Sequence, residues 1–456
     1  MSDAYTLVAF GAAIAVLVLL IAKFKVHPVA TLFIIVTTLG LALGMGGART
    51  LELITEGFGN TLANVGLLII FGCVLGKMLE LSGAAHRITE AALTVFSGKK
   101  VPWAVALAST VIGIPLIADT TVLMLIPVVS VLAYQTRMSM MKLGPILYMG
   151  AYVMTSLVPP GPGPLAASSL LGVDLGEAML WGAAVAVPSI IVATIYLLTI
   201  KTHVDPKPEF VGHLSGAGGT GTGGADGTDA EEEKHRPKLS MSLVPVFLPV
   251  VLIMLNSYVV DMVGAENVVG QVIAFLGQPV IALFIGCLTA LPLFGRKWGQ
   301  KETVNDLFES GLRLAAMPLA LTGVGGALAT IIRDTEVANS VADMIRDWGL
   351  SPIIVPFLVA AAICTITGSN ILGVMTAAAI MQPLADTLGI SPLAIYLACG
   401  TGAQIMKHAN SSGFWVTTTL SNMTVGQGIR SIGIASALSG ITGFVIVYAL
   451  YGFGLI

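Results

Sequence analysis

Charge is the first thing this sequence has little of. Only 10% of its 456 residues are Asp, Glu, Lys or Arg, while 55% are hydrophobic and the mean hydropathy is +0.91. Soluble domains carry roughly 25% charge, so a water-soluble globule is excluded and a polytopic membrane protein is expected. A net charge of −3 with no basic patch excludes a nucleic-acid partner. Cysteine is scarce as well. Cys73, Cys287, Cys364 and Cys399 are scattered through apolar segments with no pair at metal-ligand spacing, and they read as small core residues. His-Glu-x-x-His, a nucleophile–base pair and the Gly-Lys-Ser/Thr end of a phosphate loop are all missing. These absences argue against a membrane-embedded enzyme, an ATP-driven pump, a bound metal and a cofactor. The N-terminus has no basic n-region, and Lys23 and Lys25 follow the first apolar run, so an uncleaved first span is expected rather than a signal peptide.

Long apolar runs are what the chain does have, and a span needs about 20 such residues. In the first half they cover residues 5–22, 26–43, 61–81, 101–134, 143–171 and 176–200, with an amphipathic link at 47–60. Residues 201–240 are Gly-, Thr- and charge-rich and read as a flexible, solvated cytoplasmic linker. The second half repeats the order with runs at 241–262, 268–293, 315–332, 353–384, 392–420 and 432–451. Two runs in each half are interrupted at corresponding places. Ala118-Asp119-Thr120-Thr121 matches Thr367-Gly368-Ser369-Asn370. The run Pro159-Pro160-Gly161-Pro162-Gly163-Pro164 matches Lys407 to Ser412. Paired interrupted segments of this kind point to a transporter site.

The fold class expected is an all-α polytopic membrane protein of about ten transmembrane helices in two inverted repeats, 1–200 and 241–456. Each repeat has a broken helix and a re-entrant hairpin, at 101–135 and 352–385. These two tracts are short for two full crossings and a turn, though ordinary double spans would leave the loops on the same sides. Five true spans per half invert one half relative to the other. Placing Lys23 and Lys25 in the cytoplasm puts every basic residue there except Arg49, Arg333, Arg346 and the intramembrane Lys407, a strong positive-inside bias. Both termini are then periplasmic.

Intramembrane polar residues are expensive and usually functional. Asp119 is the only acid in its apolar tract and is a candidate proton carrier, cation ligand or helix cap, with Thr120 and Thr121 beside it. Lys407 and His408 are the only cation and imidazole of the second broken run. Lys407 either attracts an anionic substrate or snorkels to an interface. His408 is a substrate contact, a proton relay or a packing residue. Asn410, Ser411 and Ser412 offer donors to carboxylate and hydroxyl oxygens, and Pro160, Gly161 and Gly163 shape a substrate-lining loop, because proline and glycine cannot continue the helix. Ser369 and Asn370 are candidate coupling-ion ligands at the opposite tip. A subunit of a charge-translocating complex would string several intramembrane Lys or Glu residues across a half, and only Asp119 and Lys407 qualify.

Several stretches taken together resemble the gluconate permease (GntP) family. They are Asn410-Ser-Ser-Gly-Phe-Trp415 with His408 before it and Thr424-Val-Gly426 after it, Pro159-Pro160 with Pro162-Gly-Pro164, Gly113-Ile-Pro-Leu116 and Leu125-Ile-Pro127. The block from Phe58-Gly through Phe71-Gly and Leu75-Gly-Lys77 to Ser82-Gly-Ala-Ala adds to them. The resemblance covers nearly the whole chain outside 201–240. It implies a proton-coupled symporter of gluconate or a related small hydroxy-, keto- or amino-carboxylate in a bacterial inner membrane. It also implies two re-entrant hairpins, and a homodimer by likeness to the wider superfamily. A sodium-coupled carboxylate transporter is the alternative, weakened because only one hairpin tip carries Ser-Asn. The chain departs from the family pattern at Ser411, where an aspartate is usual, at Lys407, usually small and polar, at Gly161, usually histidine, at Asp119, usually glutamate, and near Cys364, often arginine. The substrate therefore need not be gluconate itself.

Overall fold

The computed structural model describes residues 3–24, 26–84, 87–88, 100–211, 237–263, 267–335, 351–408 and 411–456. All regular elements among the described residues are helical. The first half holds α1 (Asp3–Ala22), α2 (Pro28–Ala42), α3 (Gly46–Leu81), α4 (Val101–Ile112), α5 (Ala118–Thr136), α6 (Met140–Leu157), α7 (Pro162–Leu171) and α8 (Leu175–Thr199). The second holds α9 (Leu239–Val263), α10 (Val268–Leu276), α11 (Pro279–Ala290), α12 (Lys301–Arg333), α13 (Ile354–Thr367), α14 (Asn370–Met381), α15 (Pro392–Gly402), α16 (Ser412–Leu420) and α17 (Ile434–Gly452). Seven helices among the described residues are long and apolar enough to cross a bilayer, or eight if the bent pair α10 and α11 counts as one span. The seven include α5 and α14, the second arms of the two hairpins, and leave out α1, the 15-residue α2 and the split pairs α6–α7 and α15–α16, so they are not a count of the about ten spans expected.

Two bundles share the chain. In one, α3 and α12 pack side by side, joined by α1, α2 and α9 to α11. Residues 47–60, expected as a link, instead continue α3 as one 36-residue helix, and α12 likewise runs unbroken for 33 residues. No proline interrupts 47–60, and Leu53, Ile54 and Gly57 form a buried stripe opposite Arg49, Glu52 and Glu56. The two helices run in opposite directions, since Arg49 at the start of α3 pairs with Asp334 just beyond α12 at 3.0 Å. The second bundle gathers α4 to α8 and α13 to α17, and meets the first where α3 and α12 face α7 and α14. Close backbone approach at this seam explains the Phe71-Gly and Leu75-Gly-Lys77 signature. A Cβ on Gly72 would stand 3.1 Å from the Pro160 carbonyl oxygen, and one on Gly76 2.5 Å from that of Pro115.

Two further boundaries differ from expectation. The first hairpin turns at Gly113–Ile117, not at Ala118–Thr121, because Pro115 has no N–H to offer a helix. Asp119 thus lies in the first helical turn of α5, where an acid suits the dipole. The expected flexible linker is shorter at both ends. Residues 201–211 pack with Val204 and Val211 buried, the Val204 carbonyl accepts from Met140 N–H at 2.8 Å, and α9 starts at Leu239. Residues 212–236 of that linker lie outside the described residues.

Candidate functional site

The second bundle contains two breaks in helices that are otherwise apolar. The first break, residues 158–161, separates α6 from α7, and the second, residues 403–411, separates α15 from α16. Each hairpin tip meets the break of the opposite half. The first hairpin reaches the second break, and the second hairpin reaches the first.

At the first of these crossings, Ser412 Oγ donates to Asp119 Oδ2, and Asp119 Oδ1 faces Gly413. The carboxylate therefore lies across the start of α16. There the first N–H groups have no intrahelical partner, and the helix dipole presents its positive end. Ser411, buried, precedes this start without a capping hydrogen bond from its side chain, and is within hydrogen-bonding reach of the buried Tyr148 hydroxyl. Thr121, also buried, returns its hydroxyl to the Ile117 carbonyl at 3.1 Å and so serves its own helix. Thr120 faces elsewhere, into a cavity of about 330 Å³ at the seam between bundles, which Pro115, Pro162, Lys77, Glu80 and Arg313 also line.

At the second crossing, Asn370 Nδ2 donates to Ser156 Oγ at 2.9 Å and to Thr155 Oγ1 at 3.4 Å, and Ser369 Oγ accepts from Leu372 N–H at 3.3 Å. Both residues hold the hairpin tip in place, Asn370 through its amide nitrogen and Ser369 by accepting from its own helix. Pro160, Gly161 and Gly163 are buried in the first break. Pro162 and Pro164 have no N–H, so Gly163 is the one residue in the first three positions of α7 that can donate.

Lys407 joins the two crossings. It is 3% exposed, its Nζ donates to the Gly368 carbonyl at the C-terminal end of α13, and it lies 4.9 Å from the Tyr152 ring centroid. Snorkelling to an interface is thereby ruled out. No carboxylate among the described residues forms an ion pair with it. Met406, just before it, adopts left-handed backbone at φ 58, which turns the chain inward at a cost of roughly 1–2 kcal/mol. His408 is half-buried beside it, and Asn410 lies outside the described residues. Cys364, a second departure from the family pattern, is 3.8 Å from the Tyr152 hydroxyl in the same cluster.

Three tyrosines and a glutamine belong to this site although their sequence context did not single them out. The Tyr152 hydroxyl donates to the Ala403 carbonyl at 2.8 Å, and the Tyr396 hydroxyl donates to the Leu157 carbonyl at 2.6 Å. Each broken helix thus supplies the donor for a carbonyl freed at the break in the other. Tyr148 and Tyr152 stack at 5.2 Å, as their four-residue spacing on one helical face allows. Gln404 is fully buried, and neither of its amide atoms has a hydrogen-bonding partner among the described residues. Burying such a group unpaired costs about 1–3 kcal/mol, a cost that a water or a polar ligand reaching the break would relieve. No group of three metal-ligating side chains occurs among the described residues.

The sequence model of one family, described as GntP family permease, matches residues 5–453. Similar curated proteins include an uncharacterized permease of Haemophilus influenzae, 32% identical over 90% of this chain and 84% of that protein. A high-affinity gluconate transporter of Escherichia coli is 29% identical over 96% of this chain and 97% of its own length. The Gnt-II system L-idonate transporter of the same organism is 27% identical over 97% and 98%. Among solved structures, the YdaH transporter of Alcanivorax borkumensis superposes with a TM-score of 0.62 at 16% identity, covering 93% of this chain and 98% of its own.

Proposed function

We propose that this chain, which belongs to the GntP permease family, carries gluconate or a related small hydroxy-, keto- or amino-carboxylate into the cell together with a proton. It is a multi-pass membrane transporter and not an enzyme. One observation carries the substrate reading: a buried ammonium, that of Lys407, with no carboxylate ion-paired to it among the described residues. An uncompensated buried charge is costly, and a substrate carboxylate would balance it. Relatives named for gluconate and L-idonate support a polyhydroxy acid, whose hydroxyls suit Gln404, Ser411, Ser412, Asn410 and His408. The backbone of Pro160, Gly161 and Gly163 would close the opposite wall.

The position of Asp119 supports proton coupling. Its carboxylate already occupies the start of α16, the place a substrate carboxylate would seek. Two carboxylates repel in one seat, and one of them takes up a proton. Protonated Asp119 releases the α16 N–H groups to the substrate, and a proton travels with each anion. Sodium coupling is disfavoured, since only one hairpin tip carries Ser-Asn and the other carries Asp119-Thr120-Thr121.

The opposite directions of α3 and α12, which occupy matching places in the two halves, support inverted repeats. At 1.5 Å per residue, α4 (12 residues) and α13 (14 residues) are about 18 and 21 Å long, short of the ~30 Å hydrocarbon core, which supports re-entrant hairpins. A bacterial inner-membrane location, periplasmic termini and a homodimer complete the proposal. Single-cysteine labelling from each side and cross-linking in the membrane would test them.

The coupling test is uptake of labelled gluconate by proteoliposomes under an imposed inward proton gradient, with and without sodium. Accumulation that follows the proton gradient and ignores sodium is expected, and the reverse would overturn proton coupling. Asp119→Asn, a mimic of the protonated acid, is expected to exchange gluconate across the membrane but not to accumulate it.

A further inference from the structure

The end of α13 is an unusual place for a lysine from elsewhere in the chain. Helix C-termini carry a partial negative charge and leave their last carbonyls without donors. Gly368, the left-handed cap of α13 at φ 72, presents such a carbonyl, and the group that answers it is the Lys407 ammonium of the second break. The surroundings of that ammonium are those a small desolvated cation takes in a protein: a carbonyl oxygen, an aromatic face at 4.9 Å, 3% exposure and, among the described residues, no ion-paired carboxylate. Its backbone is pinned as well, since Lys407 N–H donates to Ser436 Oγ of α17 at 2.9 Å. Half-helix ends and unwound carbonyls are where membrane transporters seat dissolved monovalent cations.

We propose that Lys407 is a tethered cation: its ammonium fills, between the end of α13 and the second break, a seat for a monovalent cation. Wild-type protein accordingly needs no dissolved cation to hold the second hairpin against the second break. Removing the charge empties the seat and creates a binding site for sodium or ammonium. This is independent of the carboxylate assignment, because the cation would bind with or without a transported anion.

The test is thermal unfolding of the full chain in detergent, in choline chloride against sodium, potassium and ammonium chloride at constant ionic strength. The wild-type midpoint is expected to be the same in all four. Lys407→Ala and Lys407→Ser are expected to melt lower in choline and to recover by about 2–4 °C, saturably, in sodium or ammonium. Lys142→Ala is the control, since Lys142 Nζ also donates to a carbonyl, that of Leu198 at 3.0 Å, but at the far end of α6. It is expected to show no cation response. A variant that folds only when purified in sodium or ammonium also supports the seat. The proposal falls if wild type gains as much from sodium as the variants do, or if folded Lys407 variants ignore every salt. It also falls if both variants fail to fold in all four salts, since no free cation then refills the place. Gluconate uptake enters none of these outcomes, so loss of the permease reading and loss of the tethered cation are separable.

Discussion

The two breaks occupy matching places and have little chemistry in common. The first is four buried residues, Val158-Pro159-Pro160-Gly161, with no charge and one usable N–H beyond it. The second is nine residues long and holds a buried ammonium, an imidazole, an unpartnered glutamine and a helix start covered by a carboxylate. The helices around them are nonetheless paired alike, each tyrosine reaching the carbonyl of the other break. The difference teaches a division of labour. Proline makes the first break a rigid edge of fixed shape, while the second break carries the polar and charged side chains on which the proposed binding and coupling rest. A pair of breaks with equal geometry need not share the substrate equally.

The sharpest way to break this comparison is at two glycines. Gly163 and Gly413 both stand at the second position of the helix that follows a break. A Cβ on Gly163 would meet Ile371 Cα at 3.2 Å, whereas one on Gly413 would press into the Asp119 carboxylate and sit 2.6 Å from Tyr148 Cε2. Gly413→Ala is expected to cost about 3 kcal/mol, the upper end of overpacking, and roughly a hundredfold in uptake. Gly163→Ala is expected to cost about 1 kcal/mol. Initial uptake rates and melting temperatures of the two variants check the ranking, and equal losses would remove the asymmetry between the breaks.

The tyrosines sharpen the comparison at smaller cost. Tyr152→Phe and Tyr396→Phe each leave one buried carbonyl without its donor, worth about 1–3 kcal/mol of stability in either case. Removing the ring separates them. Tyr152→Leu also deprives Lys407 of its aromatic face, a further loss of about 2 kcal/mol at a desolvated site, and Tyr396→Leu has no cation to lose. Melting curves of all four variants are expected to show equal hydroxyl effects and unequal ring effects.

Both breaks were visible in the sequence because proline, glycine and charge are conspicuous inside apolar runs. The turn of the first hairpin was displaced, since Asp119 drew the eye to the polar residues while Pro115 decided the backbone. The crossing of hairpin and break was not legible, because Asp119 and Ser412 are 293 positions apart and no local pattern reports such a contact. Tyr148, Tyr152 and Tyr396 look like ordinary aromatic packing on apolar helices until their hydroxyls are traced to carbonyls and to Ser411. Lys407 stands out in the sequence as a cation inside an apolar run, but its partner, the Gly368 carbonyl, is hidden because backbone acceptors leave no mark in a sequence.

The smallest effect concerns the side-chain ties that hold each tip on its break. Asn370 to Ser156 is a neutral amide–hydroxyl bond at 2.9 Å, and Ser412 to Asp119 is its charged counterpart, opened to solvent by the exposed Ser412. A neutral buried bond contributes about 0.5–1.5 kcal/mol net, and solvent reduces the charged one toward the same range. Asn370→Ala and Ser412→Ala are therefore expected to lower stability by similar, small amounts. They should differ in what they do to coupling. Only Ser412 touches the proposed proton carrier, so Ser412→Ala should change how uptake responds to an imposed proton gradient, while Asn370→Ala should slow uptake by the same factor at every gradient. A changed gradient response in Asn370→Ala would place proton coupling at both breaks and undo the division of labour between them.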